Sequence, residues 1–171
     1  MSENIRTACE QSGMRYLRLL RKATDLKGMK DVKTFSDCDS AAEWLEGQQG
    51  NILLTTGVKE LPAFTKAITE KERIYARVLL QESIFSDMEE LGLSKKQMIC
   101  MQGPFSKELN TAMLKQVQAK FLVTKESGAA GGFMEKVEAA REAGAVCVVI
   151  RRPVTEQGYS LDEVREYVKK K

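Results

Sequence analysis

Four short segments place hydroxyl, amide or cationic side chains beside a glycine or a proline, each directly after an apolar run. They are Thr55-Thr56-Gly57, Gln102-Gly103-Pro104-Phe105-Ser106, Lys125-Glu126-Ser127-Gly128 and Arg151-Arg152-Pro153. Glycine lets a backbone approach a ligand closely, and the cations of lysine and arginine pair with phosphate and carboxylate groups. The four segments together predict a site for a ligand that carries several negative charges.

The residue types that the chain lacks narrow the chemistry of such a site. There is no histidine, which excludes Ser-His and Cys-His nucleophile systems, so proton transfer would use a carboxylate, lysine, tyrosine, thiol or water. The four cysteines form no Cys-x-x-Cys pair, and we expect no metal site. Cys100 and Cys147 fall in apolar runs and are expected to be buried and reduced, which favours a cytoplasmic location.

Charge and hydropathy argue against two classes of partner. The net charge of +3 is too small to indicate a nucleic-acid partner, and no apolar stretch is long enough to span a membrane. The basic run Arg15–Lys22 is typical of solvated surface, and it could also form a basic strand that lines an anion site.

Short β-type runs alternate along the chain with segments of helical periodicity. The predicted strands are Tyr16–Leu20, Val32–Phe35, Asn51–Thr56, Arg73–Leu80, Met98–Gln102, Phe121–Thr124 and Ala145–Ile150. The predicted helices are Glu3–Ser12, Ser40–Glu46, Glu60–Ile68, Phe85–Leu91, Ser106–Gln118, Gly132–Ala143 and Leu161–Lys169. Asp39 or Ser40 is expected to cap the second of these helices, and Ser106 the fifth.

The predicted strands are apolar almost throughout, which is typical of a parallel sheet whose two faces are both covered by helices. The alternation of such strands with helices therefore predicts a doubly wound, mostly parallel, Rossmann-like α/β fold. We expect one α/β domain over residues 1–171, in which residues 1–25 form a connecting helix and strand.

Loops that follow the carboxyl ends of parallel strands meet at one edge of the sheet, where helix N-termini offer free N–H groups. Because Gly57, Gly103 and Gly128 each follow a predicted strand, we expect them at that edge together with Lys125. A single glycine at such a bend usually serves an ordinary turn, and the prediction depends on all three together. The spacing matches neither the P-loop nor the dinucleotide Gly-x-Gly-x-x-Gly motif.

Five segments, in this order, resemble the precorrin-6A reductases of cobalamin biosynthesis: TTGVKELPAF, RIYARVL, MQGPFSKELN, VTKESGAAGGFMEKVEAAREAG and VVIRRP. The resemblance covers almost the whole chain and corresponds to the C-terminal two-thirds of that family. It implies an oxidoreductase that reduces one double bond of a ring-contracted tetrapyrrole, precorrin-6A or cobalt-precorrin-6A, with NADPH or NADH as the cofactor. The implied partner is therefore a polycarboxylate tetrapyrrole.

The resemblance, together with the expected positions of the loops, implies roles for most residues of the four loop segments and for Arg77. Lys125 is expected to be the catalytic residue, which pairs with a substrate carboxylate or a cofactor phosphate or relays a proton. The cofactor would contact Thr56, Gly57, Gln102, Gly103, Ser127 and Gly128. The substrate would contact Arg77, Pro104, Phe105, Ser106, Arg151 and Arg152. Phe105 could stack on a planar ring or simply fill a hydrophobic gap.

The glycine-rich opening loop of that family and its Asp-Ala-Thr-His-Pro segment do not occur in this chain. We therefore expect an incomplete fragment that lacks an N-terminal domain and need not be active alone. Two other functions stay open. One is a receiver-like regulatory or ligand-binding α/β module, for which Asp37 and Asp39 are a poor substitute for the usual acidic pair. The other is a cofactor-independent, synthase-like tetrapyrrole enzyme on the same fold.

Overall fold

A computed structural model of the chain describes residues 2–20, 26, 28–29, 31–127, 132–151 and 158–169. The chain divides into two compact units, one made of Met1–Ala23 with Pro153–Lys171 and the other of Thr24–Arg152. The expectation of one domain over residues 1–171 stays a prediction. Among the described residues, no helix has both the length and the apolar character needed to cross a lipid bilayer.

The unit Thr24–Arg152 contains a parallel β-sheet. Its strands are β1 (Val32–Phe35), β2 (Asn51–Leu54), β3 (Ile74–Val78), β4 (Met98–Cys100), β5 (Ala119–Lys125) and β6 (Val146–Ile150). They lie in the order β1-β6-β5-β2-β3-β4, and every neighbouring pair is parallel. The predicted parallel α/β fold is therefore confirmed.

Helices cover both faces of this sheet. On one face lie α2 (Cys38–Glu46), α3 (Leu61–Ala67) and α4 (Ile84–Glu90). On the other face lie α5 (Lys107–Gln116) and α6 (Phe133–Ala143). Along β2, Ile52 and Leu54 pack toward the first layer and Leu53 toward the second. Because alternate residues of this strand are buried on opposite faces, the strand has to be apolar throughout.

The structure shortens several of the predicted strands. β3 ends at Val78, and Leu79 and Leu80 are exposed. Arg73 lies in a short 3-10 helix, Lys71–Arg73, and its guanidinium donates to the carbonyls of Leu45 and Gln48, both at 2.6 Å. The apolar pattern thus located the buried centres of β2, β3, β5 and β6, whereas the strand ends depend on where pairing stops.

The unit Met1–Ala23 with Pro153–Lys171 contains α1 (Ser2–Gln11) and α7 (Leu161–Lys169). The prediction of a strand over Tyr16–Leu20 is wrong, because Leu19 alone forms an isolated parallel bridge, to Tyr159. Alternation of polar and apolar residues is typical of a strand, but a strand forms only where a second backbone is available to pair with it. Residues 15–20 of the run Arg15–Lys22 therefore do not form the basic strand that could have lined an anion site.

The N-cap of α2 also differs from the prediction. The helix begins at Cys38, and Asp37 caps it by accepting a hydrogen bond from the Ser40 backbone N–H at 2.8 Å. The prediction of Asp39 or Ser40 as the cap is therefore wrong. Hydrogen bonds from Ser36 and Ser40 stabilise the carboxylate and lower the pKa of Asp37 to about 2. Ser106 caps α5 as predicted, accepting from the Leu109 N–H at 3.3 Å.

The substitution Asp37→Ala is expected to lower stability near neutral pH, because the first turn of α2 loses its acceptor. The folded-state pKa lies below the ordinary value of 3.8. The contribution of Asp37 is therefore complete above pH 3.8 and is lost as the pH falls through about 2. Urea unfolding of wild type and variant at several pH values measures this difference. Asp39→Ala is the control, and an equal loss in that variant would contradict the assignment.

Candidate functional site

The carboxyl ends of β2 and β5 define a crevice at one edge of the sheet. The two strands are neighbours, yet β2 leads through α3 to β3 while β5 leads through α6 to β6 on the opposite side. The loops after the two strands therefore diverge toward opposite faces. In open parallel sheets, ligands bind at such a reversal of strand order. We call this place the β2–β5 crevice.

The loop after β2 contributes two threonines and a glycine to the β2–β5 crevice. Thr55 continues the pairing with β5, since its N–H and its hydroxyl both donate to the carbonyl of Val123, at 2.9 and 2.7 Å. The hydroxyl of Thr56 is buried and has no hydrogen-bond partner. Gly57 has φ +95°, which L side chains rarely adopt. This turn leads into the 3-10 helix Val58–Glu60.

The end of β5 is joined to the loop after β2 by an ion pair between Lys125 and Glu60. The Lys125 ammonium pairs with Glu60 Oε1, and the thiol of Cys38, at the start of α2, donates to Glu60 Oε2 at 3.7 Å. The Lys125 side chain is 45% exposed and that of Glu60 30%. The Glu60 carboxylate, on the loop after β2, thus contacts a residue that follows β1 and the last residue of β5.

Glu60 and Cys38 are not among the site residues predicted from the sequence. Glu60 was assigned to a predicted helix that starts at this position, whereas it precedes α3. The usable signal is its position three residues after Gly57, the glycine in the loop after β2. Burial, followed by the nearby Glu60 carboxylate, raises the pKa of Cys38 to about 11. Cys38 is therefore a protonated hydrogen-bond donor at neutral pH.

A buried arginine supports the loop after β4. Arg77, on β3, is 7% exposed, and its guanidinium carbon lies 4.3 Å from the centre of the Phe105 ring. It donates to Asn110 Oδ1 at 2.7 Å, and the Asn110 amide donates to the carbonyls of Phe105 and Ser106, at 3.3 and 2.8 Å. Burial lowers the pKa of Arg77 to about 10, so it stays charged at neutral pH.

The start of α6 packs against this same loop. Gly132 caps α6 with φ +62°, and a Cβ there would lie 3.7 Å from the carbonyl oxygen of Phe105 and 3.8 Å from Pro104 Cβ. Lys136, one turn into α6, is buried; its pKa is lowered by burial and by the positive charge of Arg77. The start of α6 therefore packs against the loop after β4, and two buried cations, Arg77 and Lys136, influence each other nearby.

The structure places the described site residues at the β2–β5 crevice, on the loop after β4, beneath that loop and after β6. At the β2–β5 crevice are Thr56, Gly57, Lys125 and Ser127. On the loop after β4 are Gln102, Gly103, Pro104, Phe105 and Ser106. Arg77 lies beneath Phe105. Arg151 follows β6, with an exposed side chain and its N–H bonded to the Phe35 carbonyl at 2.8 Å. Gly128 and Arg152 lie outside the described residues.

The roles assigned to these residues from the sequence stay predictions. Two positions have a local structural task as well. The Ser106 hydroxyl caps α5, and the buried guanidinium of Arg77 supports the loop after β4. Within the described ranges, no group of three or more cysteine, aspartate and glutamate side chains is arranged to hold a metal ion.

Comparison with known proteins identifies a family. The family model described as precorrin-6x reductase CbiJ/CobK matches residues 1–169. A cobalt-precorrin-6A reductase of Priestia megaterium is 36% identical over 171 residues, which are 98% of this chain and 66% of that protein. One of Methanothermobacter thermautotrophicus is 36% identical over 152 residues, which are 89% of this chain and 50% of that protein. The chain thus spans about half to two-thirds of the length of these curated relatives.

A solved structure has the same fold. A CobK precorrin-6A reductase superimposes with a TM-score of 0.73 and 20% sequence identity, over 99% of this chain and 68% of that one. At this level of identity the match supports the α/β architecture.

Asn110→Ala is expected to reduce the free energy of unfolding by about 3 kcal/mol, because it removes the acceptor of a buried guanidinium and two donors to loop carbonyls. Urea unfolding measures this loss. The matched control is Thr111→Ala at the next position, whose hydroxyl bonds only within its own helix, to the Lys107 carbonyl at 2.9 Å. We expect a cost of about 1 kcal/mol for the control. An equal loss of unfolding free energy in both variants would show that Asn110 does not stabilise the loop after β4.

The four thiols are expected to fall into two classes of reactivity at pH 8. Burial raises the pKa of Cys147 to about 12, and that of Cys38 is raised to about 11. An increase of two pKa units lowers the thiolate fraction roughly a hundredfold. Cys9 and Cys100 are partly exposed and should react first with Ellman's reagent. Peptide mass mapping identifies the labelled thiols, and early labelling of Cys38 would contradict its placement.

Proposed function

The chain belongs to the precorrin-6x reductase family CbiJ/CobK, and we propose that it takes part in the reduction of a precorrin-6A-type tetrapyrrole in cobalamin biosynthesis. The reductant in this proposal is a reduced nicotinamide dinucleotide, NADPH or NADH. The observation that carries the proposal is the Lys125 ammonium at the end of β5, together with a buried Thr56 hydroxyl without a partner in the loop after the neighbouring β2.

The residues at the β2–β5 crevice fit a dinucleotide. A cofactor phosphate needs hydrogen-bond donors and positive charge. The unused hydroxyl of Thr56 and the cation of Lys125 supply one of each. Gly57 has open space where a Cβ would stand, so the backbone leaves room for a bulky group. In this proposal Thr56, Gly57 and Ser127 hold the dinucleotide, with Gln102 and Gly103 on the neighbouring loop.

The bound dinucleotide would supply the hydride, and the protein would supply charge, position and a proton. The substrate of a precorrin-6A reductase carries many carboxylates, and Lys125 with the exposed Arg151 would pair with them. Pro104, Phe105 and Ser106 would form the other wall of the substrate site. Phe105 is held by Arg77 beneath it, at 4.3 Å. We propose that Arg77 acts through this contact, since its own side chain is buried.

Lys125 is the proposed catalytic residue, because an ammonium group can donate a proton to the carbon beside the one that accepts the hydride. Its position on the last residue of β5 makes it rigid at the backbone. The rest of the side chain is exposed enough to turn toward a ligand. The receiver-like alternative needs a free acidic pair, whereas the Asp37 carboxylate accepts hydrogen bonds from Ser36 and Ser40.

Titration of the chain with NADPH and with NADH, followed by nicotinamide fluorescence, tests this function. We expect Lys125→Gln to weaken binding about tenfold, the value of one charge-assisted hydrogen bond. Lys120→Gln is the matched control, because Lys120 is exposed on the same strand at the opposite edge of the sheet. Failure of both dinucleotides to bind, or an equal loss in the control, would contradict the proposal.

The reaction itself is tested by adding a precorrin-6A-type substrate and following the loss of nicotinamide absorbance. Lys125→Gln is expected to lower kcat as well as affinity, since it removes a proton donor. Conversion of the tetrapyrrole without any dinucleotide would instead favour a cofactor-independent enzyme.

A further inference from the structure

We propose that Glu60 is the positioning residue for Lys125, holding its ammonium across the β2–β5 crevice so that the remaining N–H donors face a ligand. This inference rests on the proposed function in so far as that ligand is a dinucleotide. The ion pair itself is a feature of the protein alone and can be tested without one.

The backbone delivers Glu60 to this point in two steps. Thr55 ties the end of β2 to β5 through two hydrogen bonds to the Val123 carbonyl. Gly57, with φ +95°, then turns the chain, and the Glu60 N–H closes the turn on the Gly57 carbonyl at 3.2 Å. The Glu60 carboxylate therefore lies beside the carboxyl end of β5. Its partner Lys125 is on that strand, two residues after Val123.

A hydrogen bond to its second oxygen fixes the orientation of the Glu60 carboxylate. Cys38 donates to Glu60 Oε2 at 3.7 Å, while Oε1 accepts from Lys125. Cys38 is buried at the start of α2, whose first turn is capped by Asp37. The lysine thus pairs with a carboxylate that has a second, rigid contact, unlike a typical pair of mobile surface side chains.

The value of this ion pair lies in position rather than in stability. Both side chains are partly exposed, and ion pairs of this kind contribute little to the free energy of unfolding. An ammonium has three N–H donors. When Glu60 takes one of them, the lysine side chain loses its rotational freedom and two donors remain for a phosphate or a carboxylate.

Labelling of Lys125 tests the ion pair without any ligand. Trinitrobenzenesulfonate reacts with an amine that has left its partner, so its rate reports how long Lys125 is unpaired. We expect Glu60→Gln to raise the labelling rate of Lys125 about two- to fivefold. Lys120 in the same molecule is the internal reference. Glu72→Gln, an exposed acidic position before β3, is the matched control and should leave the rate unchanged. An unchanged rate in Glu60→Gln would overturn the inference.

A double-mutant cycle on dinucleotide binding tests the consequence of the pair. Glu60→Gln should weaken binding about fivefold in the wild-type background and have no effect once Lys125 is Gln. An equal effect in both backgrounds would show that Glu60 acts independently of Lys125 and would overturn the inference. If wild type binds no dinucleotide, the proposed function fails, and the labelling rates alone decide whether Glu60 positions Lys125.

Discussion

The parallel pairing of β2 with β5 is the constraint on which the site depends. Leu54 lies opposite Val123, and Thr55 extends the ladder by one further residue with its side chain as well as its backbone. Because the two strands run in the same direction, their carboxyl ends coincide. The chain leaves them toward opposite faces of the sheet, so the space between the departing loops stays open. The loop after β2 brings a hydroxyl and a carboxylate to that space, and the end of β5 brings an ammonium.

Positive charge is arranged at two depths around this space. Lys125 is at the surface and paired with Glu60, whereas Arg77 is buried beneath Phe105 and Lys136 is buried on α6. Burying two cations close together is costly, and the lowered pKa of Lys136 expresses that cost. Buried cations are poorly screened by salt, so they maintain a positive potential under the loops. Such a potential would favour a ligand with several phosphates or carboxylates.

Much of the fold could be predicted from residue types because burial on both faces forces β2 and β5 to be apolar. The Ser106 cap was also predictable, since a serine directly before a helical segment is commonly its N-cap. Asp37 was missed because three candidate caps stand within four residues, and local sequence does not rank them. The run Tyr16–Leu20 was misassigned because its pattern gives no information about a pairing partner.

The candidate site could be predicted less completely than the fold. Glycines and cations after strands predicted a position at the carboxyl ends of the strands, where Gly57, Gly103 and Lys125 lie, because that rule follows from parallel topology alone. The contact between Glu60 and Lys125 joins residues 65 positions apart, and the support of Phe105 by Arg77 depends on packing between β3 and the loop after β4. Neither follows from spacing along the chain. The sequence also could not show that Arg77 is buried, since strand position does not fix the face that a side chain occupies.

The sheet order has a consequence for how the protein is made. Thr55 and Val123 are 68 residues apart, and β5 separates β2 from the strands that lie beyond it. Until a ribosome has released β5, the chain presents one side of β2 as an unpaired edge with apolar residues on both faces. Such edges are prone to intermolecular pairing, and contacts between distant segments form slowly. The stage of synthesis between β4 and β5 is therefore the stage at which a nascent chain most needs protection from aggregation.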